Sequence, residues 1–311
     1  MTKRAKEPDL HGILVVDKPP YMTSHDVVGR VRRFTGIRRV GHAGTLDPFA
    51  TGVVVVAVGR ATRILQFVQD AEKHYLAHIS LGAESDSADV DGSVIRRANM
   101  RDQPDRKAVE EVLRQFIGDT EQIPPAYSAI KVDGQPLYRQ ARAGKEVSAP
   151  PRRVQIFSIE LVAYDPPDIV IRVHCGKGTY IRSLARDIGV QLGTAAYCHG
   201  LRRISAGPFC LDQAWTLDGL AEIDAWEHWH DIALHPDWAI AHMPAVILSK
   251  EEQTAWYHGQ SFTVPGNWQG DERLVRVYGS NGDFVGVGRE FSDGRLRSTF
   301  VFNTGSEDEQ S

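Results

Sequence analysis

Cysteine is scarce in this chain. Three cysteines in 311 residues, Cys175, Cys198 and Cys210, form no CxxC pair, and an odd count argues against a disulfide framework. His174–Cys175 and Cys198–His199 are adjacent pairs, whereas zinc ligands pair two to four residues apart, so no metal is expected. Long apolar runs are missing too. The longest is interrupted by glycine and falls short of the roughly 20 residues that a membrane-crossing helix needs, so no membrane partner is expected. The opening MTKRAKEPDLHG carries charge with no apolar stretch behind it, unlike a secretory leader, and a cytoplasmic protein is expected. Excess positive charge is also absent. The net charge is -4, which gives no global sign of nucleic-acid binding.

Charge is nevertheless uneven along the chain, and phosphate attraction depends on local patches. Arg30, Arg32, Arg33, Arg38 and Arg39 crowd together, with Arg60 and Arg63 after them. A second basic group holds Lys131, Arg139, Arg142, Lys145, Arg152 and Arg153, and a third holds Arg182, Arg186, Arg202 and Arg203. Each alone reads as a solvated helix face. Three in separate segments make a surface for RNA or DNA a serious candidate. Acid collects at Glu84–Asp91 and in the tail GSEDEQS, which is expected to be disordered.

Hydrophobic periodicity sets out the elements. GILVVDKP reads as a strand stopped by proline. In TSHDVVGRVRRFTG, Thr23 and Asp26 fit a capping box, Val27, Val31 and Phe34 share a face, and Gly36 ends the helix. VVVVAVG is a strand, ATRILQFV a short helix, and KHYLAHISLG a strand closed by an acidic turn. RKAVEEVLRQFIG is an amphipathic helix. VQIFSIELVAYDPPDIVIRVHCG reads as two strands joined at Pro-Pro, TYIRSLARDIGVQLG as a helix, and CHGLRRISAGPF as a strand. Residues of about 124–153, rich in proline, glycine and base, read as a partly irregular arm. Trp215, Trp226, Trp229 and Trp238 lie close to His228, His230, His235 and His242, whose spacing favours packing over metal ligation. From Pro244 a small strand-rich unit begins: a capped helix in SKEEQTAWYHGQ, a hairpin turning at Asn281–Gly282, and a third strand in RLRSTFVF. The expectation is an α+β body over 1–243 with a mixed, largely antiparallel central sheet, and a small β-rich unit over 244–311.

GHAGTLDPFATG, residues 41–52, places Asp47 among small residues directly before an apolar strand. A structural turn is one reading, since Asp-Pro and glycines are common turn chemistry. A phosphate loop fails for want of GxxxxGK[ST]. A phosphorylated aspartate would need metal-binding acids nearby, and the flanks offer none. The remaining reading is a carboxylate nucleophile or base held in a tight loop. Arg182, at the start of a helix behind a glycine-rich turn, could pair with it, keeping it ionised and its pKa low.

The same stretch, GHAGTLDPFATGVVVVAVGRATR, resembles the signature of the TruB family of tRNA pseudouridine synthases. Further motifs follow in order: GILVVDKPPYMTSHDVV, with its lysine-proline pair at Lys18 and Pro19; KHYLAHISLG, with Tyr75; PPAYSAIKVDGQPLYRQARAG, like an RNA-gripping insertion; CGKGTYIRSLARDIG; and LRRISAGPF. The resemblance is dense over roughly residues 10 to 210, and looser over the small C-terminal unit, where it implies a PUA-like RNA-binding domain. It implies a pseudouridine synthase fold and isomerisation of a uridine in the tRNA T arm, position 55 by the usual count, with no cofactor. It makes Asp47 the nucleophile, on C1′ or C6, and Arg182 its partner. Tyr75 would pack on the base and serve as a candidate proton-transfer group. His42 would assist base flipping, Tyr180 and Leu201 would line the pocket, and Lys18 would support the loop. Small Ala43, Gly44 and Thr45 would let backbone and ribose approach closely. A monomer without an obligate protein partner is expected. An RNA-binding, tRNA-folding module with dispensable catalysis is the alternative. Tyr21 departs from the family, which commonly has glycine there, so the turn is expected to differ. Asp89 matches a family acid, but its composition reads as a solvated turn.

Overall fold

Why Val53–Val56 should all be apolar, with no polar alternation, follows from where the Thr51–Val58 strand lies. In the computed structural model it runs inside a ten-stranded sheet and is covered on both faces. Period-two alternation then sorts its side chains into two cores. Val54, Val56 and Val58, with Leu14 and Val16 of the neighbouring Gly12–Lys18 strand, pack with the Ser24–Thr35 and Ile181–Gln191 helices. Val53, Val55 and Ala57, with Ile13 and Val15, pack with Phe209, Ile240 and the C-terminal residues Phe284, Val287, Phe300 and Phe302.

The structure describes residues 10–302 except 102, 129, 133, 144–146, 148, 226 and 265–269, with no side chains at 131, 132, 136 and 142. The acidic tail, Lys145, Trp226 and the side chains of Lys131 and Arg142 therefore lie outside the described residues.

The sheet is mixed and mostly antiparallel, as its alternating strands suggest. Gly12–Lys18 pairs antiparallel with Thr51–Val58, which pairs parallel with Ala196–Ala206. From there Lys73–Leu81, Asp168–Cys175, Arg152–Asp165 and Gly118–Gln122 follow in order, each antiparallel to the last. The Arg152–Asp165 and Asp168–Cys175 strands turn at Pro166–Pro167. The capping box at Thr23 is present, with the Asp26 side chain returning to the Thr23 N–H, and Gly36 ends that helix in the left-handed region at φ 69°. The stretch expected as a short helix at 61–68 begins as a 3₁₀ turn, Gly59–Ile64, before the α-helix Leu65–Asp70. The acidic turn after Leu81 is a two-stranded ribbon, Ala83–Ser85 with Val94–Arg97.

A second, five-stranded sheet spans Ala245–Val301 and contains the hairpin over Asn281–Gly282. Trp256 of its capped helix is fully buried beneath it and donates its indole N–H to the Val285 carbonyl at 2.8 Å.

Candidate active site

The 41–52 loop is tied down on both sides of Asp47. The Leu46 N–H donates to the Ser24 hydroxyl at 2.9 Å, and the Ala50 N–H to the Asp47 carbonyl at 3.1 Å. Lys18 is fully buried, and its ammonium donates to the carbonyls of Pro19, Met22 and Pro48 at 2.9, 2.7 and 3.1 Å. Burial pulls the Lys18 pKa down to about 8. This lysine thus ties the turn after the Gly12–Lys18 strand to the 41–52 loop.

Gly52 closes the loop at φ 98°, and a Cβ there would lie 2.2 Å from the Arg203 carbonyl oxygen. Only glycine lets the two main chains pair in parallel at this point. Arg203, 1% exposed, donates from Nε to the Val53 carbonyl at 2.7 Å and from Nη2 to the Gly44 carbonyl at 3.2 Å. It also touches the Tyr75 hydroxyl.

Opposite the loop, Tyr180 caps the Ile181–Gln191 helix. The Gln122 side-chain oxygen accepts the Tyr180 N–H at 2.8 Å, and its amide donates to the Tyr180 carbonyl at 3.0 Å. This clamp aims the next turn, and Arg182, 135 residues from Asp47 in sequence, meets that acid in a two-point ion pair. Nη2 donates to Oδ1 at 2.9 Å, and Nε lies 2.8 Å from Oδ2. The remaining guanidinium contacts go to Asp89 Oδ2 at 3.1 Å, the Ser87 carbonyl at 3.0 Å and the Tyr127 carbonyl at 2.9 Å.

Asp89 is therefore not a solvated turn acid. Its side chain is 7% exposed and also accepts from the Ser87 hydroxyl at 2.6 Å and the Asp91 N–H at 3.1 Å. The ribbon folds inward here, with Ala88 in the left-handed region at φ 59° and its carbonyl accepting from the Cys198 N–H at 3.0 Å. Local composition cannot reveal this, because an inward and an outward acidic turn read alike.

One buried cation thus serves two carboxylates. The low Asp47 pKa expected from pairing is overturned. Burial pushes its carboxyl above the ordinary range; Arg182 opposes this, but its charge is shared with Asp89, whose own charge adds to the rise. Such a carboxylate is more basic than a free one and correspondingly a better nucleophile once ionised.

Asp47, Tyr75, Tyr180, Arg182 and Leu201 line one cavity of about 310 Å³, together with Gly44, Tyr127, Ser128, Lys73 and Arg203. Burial raises the Tyr75 and Tyr180 phenols, so both stay protonated at neutral pH. His42 does not line this cavity. It ends the Val40–His42 strand beside the Gly44 main chain, and burial lowers its pKa, keeping the ring neutral. The third basic group also divides. Arg182 and Arg203 are interior, Arg202 pairs with Asp17 at 2.8 Å, and Arg186 pairs with Asp187 at 2.9 Å. Guanidinium forks suit buried carboxylates and carbonyls as well as phosphates, which is why position along the chain misled. In the first group Arg30, Arg32, Arg33, Arg38, Arg39 and Arg63 are exposed, as are Arg139, Arg152 and Arg153 of the second. Among the described residues no group of three or more His, Cys, Asp or Glu could hold a metal ion.

Comparison with known proteins finds three matching family models along the chain. Residues 32–181 match a family model described as TruB family pseudouridylate synthase, N-terminal domain. Residues 182–237 and 244–302 match models for a tRNA pseudouridylate synthase B C-terminal domain and for the C-terminal part of pseudouridine synthase II TruB. A tRNA pseudouridine synthase B of Syntrophotalea carbinolica is 47% identical over 242 residues, covering 78% of each chain. One from Stutzerimonas stutzeri is 40% identical, covering 93% of this chain and 94% of the relative. A crystal structure of a Cbf5–Nop10–Gar1 complex contains a chain that superposes with a TM-score of 0.73 at 27% identity, covering 94% of this chain and 85% of that one. With these matches spanning nearly its whole length, the chain belongs to the TruB family of pseudouridylate synthases.

Proposed function

We propose that the protein converts the uridine at position 55 in the T arm of tRNA to pseudouridine, with Asp47 as the nucleophile. The observation that carries this reading is the two-point Asp47–Arg182 pair on the wall of a cavity that also holds the Tyr75 ring. The relatives named above are called tRNA pseudouridine synthases, which supports the substrate class.

The geometry supports this chemistry. The cavity volume sits at the low end of ligand pockets, about 300–1,000 Å³, a size for one nucleoside and not for a stem. A uridine reaches Asp47 only after leaving the loop stack, so the base is flipped. Held by Arg182, the Asp47 carboxylate attacks C1′ or C6 of that nucleoside. The C1′–N1 bond breaks, the uracil turns, and a C1′–C5 bond forms. The proton at C5 leaves, N1 gains one, and Asp47 is released unchanged. One bond replaces another within a single nucleotide, so the balance needs no co-reactant. Tyr75 stacks on the base and presents a protonated phenol for proton transfer, Tyr180 and Leu201 bound its path, and His42 acts from behind the loop during flipping.

In this reading residues 1–243 are the catalytic unit, with a gripping insertion at about 124–153, and residues 244–311 are a PUA-like RNA-binding unit. The exposed arginines on the Ser24–Thr35 helix and its following turn hold backbone phosphates, since a folded RNA arm is recognised by shape and phosphate. The protein acts as a cytoplasmic monomer on its own. The test is incubation of an unmodified T-arm hairpin with the protein alone, followed by mapping of pseudouridine. Pseudouridine at the position-55 uridine is expected. None, or conversion at another uridine only, contradicts the reading.

A further inference from the structure

The residue that departs from the family supplies a further contact. Tyr21 follows Pro20 in the turn leaving the Gly12–Lys18 strand and adopts φ 61°. Tyrosine in the left-handed region is a strained arrangement for a side chain of this size. The strain is held in place from outside: the Lys18 ammonium grips the carbonyls of Pro19 and Met22, and the Tyr21 N–H donates to the Pro48 carbonyl at 2.8 Å. Those contacts hold the main chain and leave the ring unused. The side chain is 86% exposed, and among the described residues it makes no ring contact and no side-chain hydrogen bond. An aromatic ring kept in water at a strained position is a sign of function, not of packing.

Its place says what it faces. The main-chain bond to Pro48 ties Tyr21 to the residue that follows Asp47. Beside the same turn lies a groove of about 280 Å³, lined in part by Pro20, Met22, Arg30 and Arg202. The groove also holds Asp17 and Asp218, and Arg202 pairs with Asp17 at 2.8 Å, which leaves the exposed Arg30 to face a phosphate. An exposed ring on the turn beside that guanidinium suits an unpaired base stacked on the aromatic face with its phosphate toward Arg30. We infer that Tyr21 is a stacking platform for an unpaired nucleotide neighbouring the target uridine in the substrate RNA. The inference rests on the proposed function.

The test compares the parent with Tyr21→Gly and Tyr21→Phe, measuring thermal melting and the dissociation constant of an unmodified T-arm hairpin. Tyr21→Gly removes both strain and ring. It is expected to melt a few degrees higher and to bind the hairpin about tenfold more weakly, which is about 1.4 kcal/mol. Tyr21→Phe keeps the ring and is expected to bind as the parent does. A hairpin carrying the fluorescent base 2-aminopurine next to the target should be quenched by the parent and by Tyr21→Phe, and less by Tyr21→Gly. Tyr21→Gly binding within twofold of the parent, or Tyr21→Phe binding as weakly as Tyr21→Gly, overturns the platform. If the parent neither binds nor converts the hairpin, the proposed function fails as well, so the two failures are told apart.

Discussion

Replacing Arg182 with methionine removes the one cation that two carboxylates share, and the structure sets the size of the effect. The Arg182 side chain is 3% exposed and Asp89 7%, whereas Asp47, at 31%, can still be hydrated from the cavity. Asp89 is the group left stranded. Removing one partner of a buried pair costs about 3–5 kcal/mol, because the other charge stays in a poorly solvating interior. For a chain of 311 residues that lowers the melting temperature by roughly 5–8 °C. The double variant Arg182→Met with Asp89→Asn removes both charges, and replacing a whole buried pair with neutral groups is often close to neutral. It should recover more than half of the loss. The recovery is incomplete because the Ser87 and Tyr127 carbonyls still lose their donor. Neither variant should make pseudouridine, since Asp47 has lost its anchor. The assays are calorimetry at pH 7 and pseudouridine mapping on a T-arm hairpin. If Arg182→Met melts within a degree of the parent, or if the double variant melts no higher than the single one, the shared-cation account is wrong.

Further outcomes follow from the same contacts. Burial raises the Asp47 carboxyl above its ordinary value of 3.8, so the folded chain keeps a proton that the unfolded chain has already released. The cost of the buried charge is absent below that value and grows as pH rises through the folded one. The melting temperature of Asp47→Asn minus that of the parent should therefore increase from acid to neutral pH; a flat difference would show that Asp47 titrates normally. Gly52→Ala pushes a Cβ into the Arg203 backbone and breaks the parallel pairing beneath the loop. A loss of at least about 2 kcal/mol and most of the activity is expected in calorimetry and turnover assays, and wild-type behaviour would contradict the close approach. Lys18 titrates near pH 8, and its neutral amine has two N–H donors for three carbonyls. Turnover should fall as pH rises through about 8, and a profile level to pH 9 would remove Lys18 from the loop's support.

How much was legible before any coordinates depended on whether the information was local. The two-faced burial of Val53–Val58, the capping box at Thr23 and the turns at Pro166–Pro167 and Asn281–Gly282 are written in neighbouring residues, and the fold carries all of them. Asp47 stood out because an acid among small residues beside an apolar strand is unusual. Its meeting with Arg182, Tyr75, Tyr180 and Leu201 joins four separate segments, and only the family resemblance brought them together ahead of the fold. Asp89 was missed because an acidic ribbon looks the same whether it turns toward water or toward an arginine. Arg182 and Arg203 were counted with a basic surface because arginine is usually exposed, yet each spends its guanidinium inside, on carboxylates or carbonyls. The rise in the Asp47 pKa lies beyond sequence altogether, since it depends on enclosure and on a second acid 42 residues away.

The central claim is that the Asp47 carboxylate forms the bond that starts the isomerisation. Single-turnover conversion of an unmodified T-arm hairpin by Asp47→Asn, with protein in excess and binding measured in parallel, tests it most directly. The account predicts binding within a few-fold of the parent and no pseudouridine at any time. Conversion at a rate close to the parent's would contradict it.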